Sequence, residues 1–193
     1  MKSFIVGFLI LSFVAAAFGM FEAVLSHNEI VIKNSPVFNA DGLKVKRFNR
    51  TTFVLDGSVE LNVESGIDDW DAQCLVYKKM GNEYKLLPYK LGPTNVCSML
   101  KDEKMIYPDV VAHGENFPTL GTCDFKTGTL LVKDYLPDLS KVPPVFESGD
   151  YQLECNVLKG SEIIQGLKFF GQIYNIKDAG KPKMSGIPGK PKK

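Results

Sequence analysis

Residues 52–64 restrict the fold more than any other stretch of this chain. Phe53, Leu55, Val59, Leu61 and Val63 alternate with Val54, Asp56, Ser58, Glu60 and Asn62. That period of two belongs to an extended strand with one apolar face and one wet face. Asp56-Gly57 in its middle could close a hairpin, but the phase of alternation runs through it, as it would through a bulge in one long strand. Both readings stand at this point.

Weaker alternation covers residues 29–38, 43–48, 70–79, 83–89, 129–134, 151–158 and 163–176. Turn-forming clusters such as Ser65-Gly66-Ile67-Asp68-Asp69 and Met80-Gly81-Asn82 lie between them. Short strands at this spacing predict an all-β sandwich or barrel. Residues 93–105 differ: the stretch begins with Pro93, lacks β-branched enrichment and spaces Val96, Met99 and Leu100 as a helix does. One short helix carrying Cys97 is predicted there. The stretch with Pro108 and Pro118 that follows reads as irregular. In the last strand Leu167, Phe169, Gly171 and Ile173 share one face, and Lys168, Phe170, Gln172 and Tyr174 share the other. Aromatic residues on both faces suit a strand covered on both sides, or one at a membrane-facing or partner-facing edge.

The N-terminus sets the compartment. Lys2 precedes the apolar run "FIVGFLILSFVAAAF", with small residues suited to cleavage after Ala17 or Gly19. This is the pattern of a secretory signal peptide over residues 1–19. As a membrane anchor the run falls short of the roughly 18–20 residues a spanning helix needs, and Glu22 stops it from growing. Residues 20–177 have the size and apolar content of one domain. Export makes Cys74, Cys97, Cys123 and Cys155 a disulfide set, with three connectivities open. Zinc is a poor reading, because there is no Cys-x-x-Cys pair and the only histidines are His27 and His113. Asn49-Arg50-Thr51 is a glycosylation sequon.

Charge is unevenly placed. Lys2 and the five lysines from Lys181 onward leave 17 basic residues against 22 acidic ones, so the body carries about −5. Residues 178–193 are basic and rich in Pro and Gly, a composition that predicts a disordered tail. Such a tail either approaches an anionic membrane surface or simply solubilises the chain. An acidic body excludes nucleic acid as the expected partner.

Catalytic signatures are missing. There is no Gly-x-Ser-x-Gly elbow, His-Glu-x-x-His helix or Walker loop. His113 reads as a loop histidine with no nucleophile or orienting group placed beside it. Asp68, Asp69 and Asp71 around Trp70 lack the ligand spacing of a calcium loop and read as a solvated turn. A protein that is not an enzyme, without cofactor or metal, is expected.

The order "VCSML", then "CDFKTGTLLVKDYLPDLSKVPPVFESGDYQLE", then a final apolar strand resembles the C-terminal half of the ganglioside-activator branch of the MD-2-related lipid-recognition (ML) family. The first half, with "RFNRTTFVLDGSVEL" and "QCLVYKKMGNEYKLLPY", resembles insect secreted proteins akin to that branch, including the CheB-type chemosensory proteins. The Cys-x-Phe-Lys-x-Gly run from Cys123 and the Pro-x(5)-Gly-x-Tyr run from Pro144 carry most of the likeness. The resemblance implies an immunoglobulin-like β-sandwich cup whose sheets splay around a cavity for acyl chains. It also implies that Cys97 pairs with Cys123, which leaves Cys74 with Cys155. The chain departs from the ganglioside activators in having fewer cysteines.

The aromatic share of 11%, with 13 Phe and 7 Tyr, suits a pocket lining as well as a packed centre. The expected cavity residues are Phe53, Leu55, Phe117, Phe125, Leu131, Tyr135, Val145, Phe146, Leu153, Phe169 and Phe170. Val145 and Phe146 would form a lip, with Cys155 anchoring the strand behind it. The expected function is that of a secreted, non-enzymatic binder of a lipid or other hydrophobic ligand, for transport or presentation. The other reading is an extracellular chemosensory or signalling module with a receptor-contacting surface, marked by exposed aromatics at Phe170 and Tyr174. The expected site of action is extracellular, with the lysosomal lumen as a second destination, and a membrane surface or receptor as further contacts.

Overall fold

The computed structural model describes residues 21–33, 35–63, 67–102, 107–138 and 146–175. The signal peptide, the basic tail, residues 103–105 of the expected helix, and Pro143, Pro144 and Val145 lie outside these residues.

In chain order the strands are β1 (Phe21–Ile30), β2 (Phe38–Asn39), β3 (Lys44–Arg47), β4 (Phe53–Leu61), β5 (Trp70–Met80) and β6 (Glu83–Asn95). Two short helices follow, α1 (Val96–Asp102) and α2 (Tyr107–Ala112), and then β7 (Gly114–Glu115), β8 (Gly128–Tyr135), β9 (Gly149–Lys159) and β10 (Glu162–Asn175). They build two antiparallel sheets. The first runs β1-β10-β9-β5-β6; the second runs β2-β4-β8-β7, with β3 also paired to β4. The expected all-β sandwich with a short helix is therefore present.

The apolar residues of the 52–64 stretch do what their period requires. Leu55, Val59 and Leu61 join Leu130, Val132 and Tyr135 of β8, Ala40, Leu43, Ile67 and Trp70 in the buried core. Leu25, Val157, Leu167 and Phe169 of the first sheet pack against that cluster. The question at Asp56-Gly57 resolves in favour of one continuous strand. The register slips between Leu55 and Gly57, because Leu55 faces Tyr135 whereas Gly57 faces Val132. The extra residue thus belongs to β8, where Asp134 has φ 49°. It shifts the phase so that Leu130, Val132 and Tyr135 all point inward. Lys46 holds the bulge by pairing with Asp56 at 2.8 Å and Asp134 at 3.1 Å. Gly57 has φ 132°, and a Cβ there would run into the Gly42 carbonyl oxygen. Only glycine fits that approach.

Three expectations change. The strand expected over residues 29–38 is not continuous: β1 occupies Phe21–Ile30 and β2 only Phe38–Asn39. The helix does not begin at Pro93. Asn95 and Thr94 still pair with Asp71 and Ala72, so β6 continues to Asn95. Pro93 is accommodated because β6 is an edge strand that bulges at Gly92-Pro93. Asn95 caps α1 by accepting the Ser98 amide hydrogen at 3.1 Å. Finally, the stretch read as irregular contains α2, with Pro108 in its first turn.

Two cross-sheet contacts set which ends of the sheets coincide. Gln165, 1% exposed, donates to the Phe38 carbonyl at 2.7 Å. It lies opposite Val157 on β9, while Phe38 lies opposite Leu61 on β4. Asn28 donates to the Leu43 carbonyl at 2.9 Å and accepts from the Val45 amide at 2.8 Å. It is level with Phe169 and Leu153, while Val45 is level with Leu55. Moving from Val157 toward Gly149 on β9 therefore runs alongside moving from Leu61 toward Phe53 on β4. One end of the sandwich holds Trp70, Ile67, Leu61 and α1, which follows the Asn95–Asp71 pair; α2 leads along the sheet edge to His113, whose ring lies 5.7 Å from Tyr135. The other holds the start of β9, the end of β5 and the β3–β4 hairpin tip.

Candidate ligand-binding site

The two ends are closed differently. At the helix end, the Cys97–Cys123 disulfide joins α1 to the loop before β8. The Tyr107 hydroxyl donates to the Pro118 carbonyl at 3.0 Å, and Thr127 accepts from the Val63 amide at 3.0 Å. Burial, with the Asp124 carboxylate as a second cause, pushes the Tyr107 hydroxyl up to about 12. Phe117 and Phe125 are half-buried against the core on this side.

The opposite end is less covered. The second sheet finishes in the two-residue β7, whereas the first continues through β5 to the 13-residue β6. Among the described residues, the inward faces of β9 and β6 carry exposed apolar side chains here. Leu153 lies on a central strand and shares its face with Phe169, which packs on the core, yet it is 38% exposed. Leu91, paired with Cys74 on the same face, is 48% exposed, and Tyr89 is 44% exposed. The Cys74–Cys155 disulfide ties directly opposed residues of β5 and β9 on this same face, with Cα atoms 4.1 Å apart.

Aromatic rings gather above Leu153. Tyr151 meets Phe146 edge-on at 5.6 Å between centroids, and Phe146 lies 6.0 Å from Tyr89. The Tyr151 hydroxyl donates to the Glu147 carbonyl at 2.7 Å, which anchors the turn before β9. Lys78, opposite Tyr151, places its ammonium 5.9 Å from the Tyr151 ring centroid and pairs with Glu147. That hydrogen bond raises the Lys78 pKa and lowers that of Glu147.

The predicted cavity residues fall into distinct groups. Phe146, Leu153 and Phe169 line or adjoin the uncovered inward face. Leu55 and Tyr135, paired across β4 and β8, are buried in the core instead. Phe53 shares the face of Leu55 and is half-buried at the hairpin end. Leu131 pairs with Ser58, between the core residues Leu130 and Val132, and so points to the outside of its sheet. Phe170 is likewise on the outer face, opposite in direction to Phe169. It is 8% exposed, with His27 stacked on it at 4.2 Å and Tyr84 against its edge at 5.6 Å. Neither Leu131 nor Phe170 can line a cavity between the sheets. Nor do Phe170 and Tyr174 make an exposed aromatic patch, since Phe170 is buried and Tyr174 is half-buried, donating to Glu22.

Lys78, Tyr89, Leu91 and Tyr151 were not among the predicted site residues. The signal for Tyr151 was present, because it is in phase with Leu153 and Cys155. Lys78 is in phase with Cys74 and Val76 in the same way. Leu91 carried no such signal, because β6 bulges twice between Thr94 and Leu86.

These features define a disulfide-linked antiparallel β-sandwich that is sealed at one end and has an apolar, partly uncovered inward face at the other. Two disulfides fit an oxidising, extracellular type of compartment. Among the described residues no helix is long and apolar enough to cross a membrane, and no group of three or more His, Cys, Asp or Glu could hold a metal ion. Residues 72–153 match the family model described as "Protein of unknown function (DUF1091)". That span reaches from β5 into β9 and contains Lys78, Tyr89, Leu91, Phe146, Tyr151 and Leu153. No ML family model matches, and no curated protein matches the chain.

Proposed function

We propose that this is a secreted, non-enzymatic binding protein that holds the apolar chain of a lipid or similar molecule against the inward face of β9, β5 and β6. The observation that carries this reading is Leu153: an inward-facing leucine on a central strand, left 38% exposed. A sandwich closed throughout buries such a residue, so its exposure favours an occupant other than the protein's own side chains. The resemblance of the sequence to the ganglioside-activator branch supports the same conclusion.

Binding is stoichiometric and driven by removal of apolar surface from water. At about 0.8 kcal/mol for each CH₂, a 16-carbon chain supplies on the order of 10 kcal/mol before ordering costs. That suffices to draw a chain from a membrane or carry it in fluid. The hairpin tip at the open end, with Arg47, Arg50 and the 60% exposed Phe48, suits contact with an anionic membrane surface during loading.

Native mass spectrometry of the secreted protein, before and after incubation with a mixed lipid extract, tests the proposal. A one-to-one complex with a hydrophobic molecule is expected. No ligand retained from the producing cells, and none taken up from the extract, would overturn it.

A further inference from the structure

Lys78 points to the same face as Cys74, Val76 and the Leu153–Phe169 pair. Its side chain is only 17% exposed, and it stands where the apolar surface meets the open end. Directly opposite it on β6 is Lys85. Like charges facing one another across paired strands repel, so the position is unfavourable unless an anion lies between or over them. Glu147 supplies one carboxylate, to Lys78 alone, and that side chain is 84% exposed. Lys85 has no carboxylate partner among the described residues. Two lysines thus stand opposite one another at the head of an apolar surface, with one solvent-exposed carboxylate, bound to Lys78, to balance their charge.

We infer that Lys78 and Lys85 select an amphiphile with an anionic headgroup, a carboxylate or phosphate monoester, whose chain lies along Leu153 and Leu91. The headgroup takes the place of Glu147, which swings into solvent, and bonds to Lys78 as a charge-assisted hydrogen bond. Gly149 favours this arrangement because it lets the Lys78 stem pass close: a Cβ there would sit 3.3 Å from Lys78 Cε. The inference rests on the proposed apolar site and adds the polarity of its ligand.

The test uses cis-parinaric acid and its methyl ester, which have the same chain with and without a charge. The secreted protein should bind the acid about tenfold more tightly than the ester, as expected for one charge-assisted contact in a partly buried site. Lys78→Met keeps an apolar stem and should bring the acid and ester affinities together. Lys85→Met should reduce the preference by a smaller factor, and Glu147→Gln should tighten acid binding. Unaltered thermal melting of Lys78→Met excludes misfolding, and Lys85→Met, on an exposed edge position, gives an independent reading. Competition of the bound acid by oleate and by lysophosphatidate distinguishes the carboxylate source from the phosphate source. Equal binding of acid and ester, or an acid preference that survives Lys78→Met, overturns the inference and leaves the apolar site standing. If neither probe binds, both fall.

Discussion

The two ends of this sandwich are made from similar residues and reach different outcomes. The helix end gathers Trp70, Ile67 and Leu61 beside α1, with the Tyr107 hydroxyl bonded to the Pro118 carbonyl and Cys97–Cys123 holding α1 to the loop before β8. The opposite end has Phe146, Tyr151, Leu153, Tyr89 and Leu91, which are no less apolar, but among the described residues no strand of the second sheet pairs across them. The contrast comes from strand length rather than composition: β7 has two residues where β6 has 13. Apolar surface becomes core or binding surface according to whether the chain provides a second layer over it.

Substitutions at the two ends should therefore separate stability from binding. Trp70→Ala should have the largest effect, a loss of about 3–5 kcal/mol in denaturant unfolding, since it empties a sealed part of the core. Its bound form should keep its affinity for an apolar probe wherever the variant remains folded. Replacing Cys97 and Cys123 together by serine frees a loop spanning a separation of 26 residues. The expected cost is about 3 kcal/mol, measured as a lower denaturant midpoint. A midpoint that did not move would mean that the cover is not needed to seal this end.

Gly57→Ala disturbs neither end directly but forces the β4 backbone away from the turn at Gly42. A loss on the order of 2 kcal/mol in thermal or chemical unfolding is expected. Tyr107→Phe should cost about 1 kcal/mol, the worth of one buried hydrogen bond. The same residue gives the helix end a pH signature. Its hydroxyl titrates at about 12 in the folded protein against 10.0 for an unperturbed tyrosine. The unfolded chain therefore loses the proton first. The stabilisation is complete below pH 10, falls as pH rises, and is lost by pH 12. Melting curves across that interval should show a steeper decline for the wild type than for Tyr107→Phe.

Leu153→Ala should show the reverse pattern. Because the side chain is already partly in water, the cost to stability should be below about 1 kcal/mol, while affinity for an alkyl-chain probe falls about tenfold. A variant that unfolds readily and binds normally would identify Leu153 as ordinary core.

Much of this was legible in the chain itself. The 52–64 alternation identifies the core face of β4, and Tyr151, Leu153 and Cys155 alternate in the phase that the inward face of β9 requires. Other parts depended on long-range events that local pattern does not encode. The bulge at Asp134 lets Tyr135 join Leu130 and Val132, which a strict period of two forbids. Phe170 looked like a cavity residue by its size, yet alternation with Phe169 sends it outward to meet His27 and Tyr84. Pro93 looked like a helix start, but pairing with β5 kept it in an edge strand until Asn95 could cap α1. Lys78 was hidden for a simpler reason: a lysine in an alternating segment reads as solvent-facing until its pairing with Tyr151 shows which side it takes.

The most direct measurement is photo-crosslinking with a diazirine-bearing fatty acid, followed by peptide mass spectrometry. The account predicts one label per protein, on Leu153, Leu91, Tyr89 or Phe146. Labelling of Phe170 and Tyr84 on the outer face, or no labelling at all, would contradict it.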